Sequence, residues 1–331
     1  IKAPLLVTDP GLAGMSMVTQ AIAACTGEGL AIDMFCDIKP NPTGSNVEAG
    51  VKAYHDGQHD GVIAFGGGSG LDAAKAIAVV ANQSCSLWDL EDIGDNWLNA
   101  DPEKIPPIIG VPTTAGTGSE VGRASVIVNE TEHRKAIIFH PKMLPGVVIL
   151  DPELTIGLPP NLTAATGMDA LSHSLEAYCS PFYHPMATGI AVEGIRLVKE
   201  FLPTAVSHGM DIEARTQMLV ASSMGATAFQ KGLGGVHALA HPLGAIYDKH
   251  HGLLNAILLL YVLSENRPVI EDRIKHVAHM MDLEDSSFEG FMQWLLDFRR
   301  SLGIEHALSE IGIDEEKTEL IGELATKDPS A

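Results

Sequence analysis

The sequence predicts an α/β N-terminal domain with a parallel, Rossmann-like sheet, followed by an all-α C-terminal domain. Three observations carry that prediction. Up to about residue 150, short aliphatic runs alternate with helical stretches, as expected of a parallel sheet covered by helices. After Asp151 the β-branched runs largely vanish, and long segments with apolar residues at three- and four-residue spacing take over. Between the two lies the turn-rich stretch 151–160, whose adjacent prolines suit the first turn of a helix. The boundary is therefore drawn between a domain of residues 1–156 and one of residues 157–331, packed directly with a cleft between them.

Taken in order, strands are expected at 5–8, 31–38, 62–66, 108–113, 125–128 and 147–150. Helices are expected at 13–24, 47–58, 70–81 and in a short stretch after Thr117. In the second half they are expected at 160–178, 183–200, 211–229, 252–264, 268–280 and 288–302. The apolar run 253–263 is interrupted by Asn255 and is shorter than the ~20 residues of a membrane helix, so it reads as a core helix. Residues 2–7 resemble a strand entered midway, which suggests a chain trimmed at its start.

Composition narrows the class of partner. The 331 residues are 46% hydrophobic and 19% charged, which fits a folded chain and not an extended disordered one. A formal net charge of −21 opposes nucleic acids and anionic membranes, so a small-molecule ligand is expected. Cys25, Cys36, Cys85 and Cys179 form no CxxC pair, which argues against a disulfide scaffold or cysteine zinc site and suits the cytoplasm.

Two glycine-rich turns stand at expected strand ends. The strand pattern Val62-Ile-Ala-Phe runs into Gly66-Gly67-Gly68-Ser69-Gly70 and then a helix opening, where backbone N–H groups and the helix N-terminus suit a pyrophosphate. Leu71 stands where the Rossmann fingerprint needs its third glycine, so this turn alone also suits a plain strand-to-helix connection. The second, Pro112-Thr113-Thr114-Ala115-Gly116-Thr117-Gly118-Ser119-Glu120, has capping-box spacing between Thr117 and Glu120. Two such turns point to a nucleotide along the carboxyl edge of the sheet. Asp37, at the end of the 31–38 strand, suits an adenosine ribose and would repel a 2′-phosphate, favouring NAD over NADP; it equally suits a turn or cap.

The histidines fall into pairs. Asp169 and His173 are four apart in a helical segment, so their side chains project about 40° apart on one face and can chelate one ion. His237 and His241 repeat the spacing, and His250–His251 follow closely. Either pair alone more often marks a hydrogen-bonded helix face than a ligand set, and spacing leaves open which of His237, His241, His250 and His251 bind. His55 and His59 read as a solvated helix end, and His276 and His279 as surface.

Together, the Gly66–Ser69 turn, the 113–120 turn, Asp151-Pro-Glu-Leu154, Thr163-Ala-Ala-Thr-Gly-Met-Asp-Ala-Leu-Ser-His173, His237-Ala-Leu-Ala-His-Pro-Leu-Gly-Ala245 and His251-Gly252 resemble the iron-containing (group III) alcohol dehydrogenase family. The resemblance runs in order over almost the whole chain. It implies a dehydroquinate synthase-like fold with a nucleotide-binding domain and a helical metal domain. The implied activity is NAD(P)-linked alcohol dehydrogenation on a primary alcohol or small diol. A glycerol-type polyol dehydrogenase or a dehydroquinate synthase-like lyase is the alternative on the same scaffold. The resemblance further implies Fe²⁺, or Zn²⁺ in some relatives, held by Asp169, His173, His237 and His251, with His241 assisting proton transfer. By the same matching Asp37 selects NAD, Gly67, Gly68 and Ser69 hold the pyrophosphate, and Thr113, Thr114, Lys135, Leu154 and Gly157 line the cofactor cleft. A cytoplasmic homo-oligomer, a dimer or larger, is expected. Phe229 reads as core or as part of a substrate pocket.

Overall fold

The structure, a computed structural model, describes residues 1–132 and 134–331. The chain forms two compact units, one of Ile1–Thr114 with Ser119–Leu154, the other of Ala115–Gly118 with Thr155–Ala331.

The first unit is built on a five-stranded parallel sheet of order β2-β1-β3-β4-β7. Its strands are β1 (Pro4–Val7), β2 (Asp33–Phe35), β3 (Gly61–Gly66), β4 (Ile108–Pro112) and β7 (Val147–Val148). All six residues of β3 are buried, because helices cover both faces of a parallel sheet. The side-chain period of two divides the core accordingly. Leu5, Val7, Val62 and Ala64 pack with α3 (Gly44–Asp56) and α4 (Gly68–Val80). Leu6, Ile63, Phe65 and Val111 pack on the opposite face against Leu12 of α1 (Pro10–Ala13) and Val18 of α2 (Ser16–Gly27). Each such Val, Leu, Ile or Phe contributes roughly 1.5–3 kcal/mol by burial.

The expected strand at 125–128 lies outside this sheet. It is β5 (Ala124–Asn129), paired antiparallel with β6 (Arg134–Phe139) in a separate hairpin. The spacing missed β6, whose first two residues are charged. The helix expected after Thr117 is a single 3₁₀ turn, Ser119–Val121. Buried Lys75 of α4 fixes that segment by donating to the carbonyls of Ser119, at 2.9 Å, and Ala124. His59 also departs from its expected solvated place: it is buried, with Nδ1 3.0 Å from the Ala3 carbonyl oxygen. The chain reverses through Gly57 and Gln58, the latter at φ 52°, and folds the imidazole under the helix end.

The second unit is helical: α5 (Pro160–Cys179), α6 (Pro185–Ser207), α7 (Ile212–Ala228), α8 (Gly235–Tyr247), α9 (His251–Glu265), α10 (Arg267–Met280), α11 (Phe288–Ser301) and α12 (Thr318–Ala325). Six of these lie where the periodicity puts them. Two were not anticipated: α8, which carries Pro242 inside it, and the eight-residue α12. Every residue of α5 from Thr163 to Tyr178 is buried, so its polar side chains there must find partners within the protein. At its C-terminal end, Lys231 and Arg273 donate to the carbonyls of Tyr178 and Ser180, complementing the negative end of the helix dipole. Among the described residues, no single helix is long and apolar enough to cross a membrane.

Candidate metal and cofactor sites

In the first unit the Gly66–Gly70 turn meets the start of the second turn, Thr113–Thr114, because β3 and β4 are parallel neighbours. The amide of Thr113 donates to the Gly66 carbonyl at 2.9 Å, and a Cβ at Gly67 would stand 3.3 Å from Thr114 Cγ2. Gly68 and Ser69 open α4, where first-turn N–H groups have no intrahelical acceptor. The Ser69 hydroxyl donates to the Pro40 carbonyl, which leaves its backbone amide as the group for an anion. Gly67, Gly68, Ser69, Thr113 and Thr114 thus form one edge.

The other expected cofactor residues are dispersed. Lys135 is half-buried on β6, and Leu154 packs against the Leu6 and Val111 face of the sheet. Gly157 is exposed in the second unit. Asp37 is exposed beyond edge strand β2, one strand further from the glycine turn than β1, and its carbonyl accepts from Asn46 Nδ2 at 2.9 Å. Asp9, which the sequence reading passed over, follows β1. Its Oδ1 accepts from the amides of Gly11 and Leu12, and its Oδ2 lies 3.8 Å from where a Cβ of Gly66 would be. The missed signal is an acid-proline pair closing the first strand, whose importance depends on the strand order.

In the second unit α5, α8 and α9 bring four side chains together. One ligand atom from each of Asp169, His173, His237 and His251 lies within 4.8 Å of all the others. Asp169 Oδ1 is 3.8 Å from His173 Nε2, 4.0 Å from His237 Nε2 and 3.8 Å from His251 Nε2. These separations are too long for hydrogen bonds. They match donors sharing one cation, since two atoms each ~2.1 Å from an ion at a tetrahedral angle stand about 3.4 Å apart. One carboxylate with three imidazoles suits Fe²⁺ or Zn²⁺, so the residues present fit the group.

Local packing explains the convergence. Asp169 and His173 share a face of buried α5, while His251 is the first residue of α9. A Cβ at Gly252 would stand 2.5 Å from the Ala165 carbonyl oxygen and 3.2 Å from Asp169 Cβ, so glycine is what lets α9 begin against α5. His250, by contrast, is exposed and caps α9 by accepting from the Leu253 amide. The structure thereby separates His251 from His250, which spacing did not.

Three further residues support this cluster. Glu176 is buried, with Oε1 accepting from the Val236 amide at 2.7 Å and Oε2 2.5 Å from His237 Nδ1. Seven residues beyond Asp169, it shares the ligand face, and that spacing made it findable. Asn255, one turn beyond His251, donates through Nδ2 to Asp169 Oδ1 at 2.7 Å. Asp328, whose Oδ2 is 2.8 Å from His241 Nδ1, has no local signal at all. His241 is itself buried, its ring stacked on that of His251 at 5.5 Å. The Phe229 ring lies 4.8 Å from that of His173.

Burial pushes the His173 imidazole down to about 4, against the pull of Asp169, so it is neutral and able to offer a lone pair. At His237 burial acts downward too, but the Glu176 carboxylate outweighs it and raises the pKa. With Nδ1–H donated to Glu176, Nε2 keeps its lone pair toward the cluster. Burial works to raise the Asp328 carboxyl, and the hydrogen bond and charge of His241 outweigh it, leaving Asp328 below the usual carboxylate range.

A parallel α/β unit with a glycine turn at its strand ends and a helical unit gathering one carboxylate and three imidazoles together define a class: metal- and dinucleotide-dependent enzymes. The comparisons narrow it. Residues 2–152 match the profile of the iron-containing alcohol dehydrogenases, and residues 163–331 match that of the family's C-terminal domain. The chain is 38% identical over 325 residues to a 4-hydroxybutyrate dehydrogenase of Cupriavidus necator, covering 96% of this chain and 84% of that protein. The crystal structure of a 1,3-propanediol oxidoreductase superposes with a TM-score of 0.93 at 35% identity, covering 100% of this chain and 87% of that one. A sulfoacetaldehyde reductase from Bifidobacterium kashiwanohense, solved in complex with NAD⁺, gives 0.89 at 30% identity, covering 100% and 86%. The chain belongs to the iron-containing alcohol dehydrogenase family, and is an alcohol dehydrogenase of that type.

Proposed function

We propose that this chain is an NAD-linked dehydrogenase of a primary alcohol or small diol, with Asp169, His173, His237 and His251 holding Fe²⁺, or Zn²⁺ in its place. The observation that carries the reading is the convergence of those four donors within 4.8 Å. A divalent cation bound there supplies Lewis acidity toward an alcohol or carbonyl oxygen. The protein's own groups do the rest. Glu176 holds the His237 tautomer and Asn255 holds Asp169. His241 accepts the hydroxyl proton at Nε2 and passes it toward solvent. Residues 1–156 serve as the dinucleotide domain and 157–331 as the metal domain. Amides of Gly67, Gly68 and Ser69 bind the pyrophosphate, and Thr113, Thr114, Lys135, Leu154 and Gly157 line the cofactor site. The working form is a cytoplasmic homo-oligomer, with its cysteines kept as thiols.

Asp37 is the acidic selector of NAD over NADP in this reading, and the place of Asp9 beside Gly66 favours a second candidate for that role. In Asp37→Gly and Asp9→Gly variants, the one whose NAD-to-NADP ratio in kcat/KM falls about tenfold or more is the selector. An unchanged ratio removes the residue from the role.

The test of the whole reading is anaerobic purification, elemental analysis and NADH absorbance with a panel of primary alcohols and diols. About one iron or zinc per chain and multiple turnovers abolished by a chelator are expected. Absence of bound divalent metal after loading, or absence of NAD reduction with every alcohol, would overturn it.

A further inference from the structure

A buried imidazole, His241, stands beside the four donors. His241 is 7% exposed, held between the rings of His237, at 6.1 Å, and His251, at 5.5 Å. Those contacts fix the plane of the imidazole and leave its proton arrangement open. That arrangement is decided by a residue 87 positions later: Oδ2 of Asp328, in the turn after α12, lies 2.8 Å from His241 Nδ1, while Oδ1 accepts from the Ser330 amide at 2.8 Å. The carboxylate is therefore anchored on one oxygen and presents the other. Because α12 packs against α8, this turn is a fixed part of the helical unit.

We propose that Asp328 is a positioning residue for proton transfer, keeping His241 in the tautomer with hydrogen on Nδ1 and stabilising the imidazolium once it forms. The proposal rests on the reading of His241 as the proton relay. In alcohol oxidation the O–H bond breaks and its proton forms a bond to His241 Nε2. The C–H bond breaks with its electron pair, which passes as hydride to the nicotinamide ring of NAD⁺, and a carbonyl remains. The positive charge that appears on His241 is met by the Asp328 carboxylate, which keeps its own charge throughout. In carbonyl reduction the same proton returns from Nε2.

The experiment is a double-mutant cycle in the zinc-loaded enzyme with His241→Ala, Asp328→Ala and both together. Metal content, NAD affinity and the His241 ¹⁵N shifts are measured alongside kcat and KM. Asp328→Ala should lower kcat about tenfold to a hundredfold with metal content and KM for NAD kept, as general acid–base steps contribute 10²–10⁴-fold. It should cost nothing further in the His241→Ala background, and the ¹⁵N signature of the Nδ1–H tautomer should be lost. Asp328→Asn, whose one amide oxygen can stay on the Ser330 amide, turns its NH2 toward His241 Nδ1, so it should keep the fold and metal content while moving the imidazole hydrogen to Nε2 and leaving kcat low. That variant separates positioning from folding. Wild-type kcat in Asp328→Ala beside a large loss in His241→Ala would overturn this proposal alone, as would equal losses from Asp328→Ala in both backgrounds. Full turnover in His241→Ala would overturn the relay reading and this proposal with it.

Discussion

At the scale of single residues, burial and neighbouring carboxylates set the protonation of His173 and His237 in the four-donor cluster. His173 illustrates the consequence. In the fold its pKa is about 4, whereas in the unfolded chain it takes up a proton near the ordinary ~6.5. Between those values the unfolded state binds more protons, so the group's share of stability falls as pH is lowered from 6.5 toward 4, by about 1.4 kcal/mol per pH unit. Denaturant unfolding of chelator-treated protein at pH 7 and pH 5 should show a shallower fall in His173→Gln than in the wild type. Parallel falls would refute the assignment. Asp169→Ala and His173→Ala should each abolish metal retention and turnover while NAD affinity stays within about tenfold, because Gly67, Gly68, Ser69, Thr113 and Thr114 belong to the other unit. Isothermal titration with metal and with NAD checks both halves, and full activity in either variant would refute its role as a ligand.

At the scale of elements, helix spacing made the pairs readable and helix packing made them a site. Positions 169, 173 and 176 follow from one helical period, as do 251 and 255. What brings α9 to α5 is the missing side chain at Gly252. Gly252→Ala should displace the start of α9, costing about 1–3 kcal/mol of stability and at least tenfold in metal affinity. Denaturant midpoints and metal titration measure the two effects, and wild-type metal affinity would show that the contact is not what sets the position of His251. The element that escaped the sequence reading most completely is α12, since its eight residues offer little more than two turns of periodicity. β6 escaped because Arg134 and Lys135 open a strand that turns only its middle inward. His59 was misplaced because a polar setting in sequence says nothing about a chain reversal at Gly57–Gln58.

At the scale of the whole molecule, the four candidate donors come from three helices spread over residues 160–265, so a cation bound by them would be a cross-link within the helical unit. Free metal at a hundred times its Kd should stabilise the protein by about 2.7 kcal/mol. The melting temperature should rise with free Zn²⁺ in the wild type and stay flat in Asp169→Ala; a flat response in the wild type would contradict the site.

The amino-acid sequence by itself determined the α/β-then-helical order of the chain, the two glycine turns and the spacing of Asp169 with His173, all of them consequences of local period and turn chemistry. Tertiary structure alone decided that Thr114 lies against Gly67, that the start of α9 sets His251 beside Asp169, that Asp9 neighbours the glycine turn, and that Asp328 reaches His241. The physical reason is range. A helix or strand repeats within a few residues and leaves its period in the sequence, whereas contacts across tens of residues depend on strand order, on a glycine where two helices touch, and on which turn closes over them.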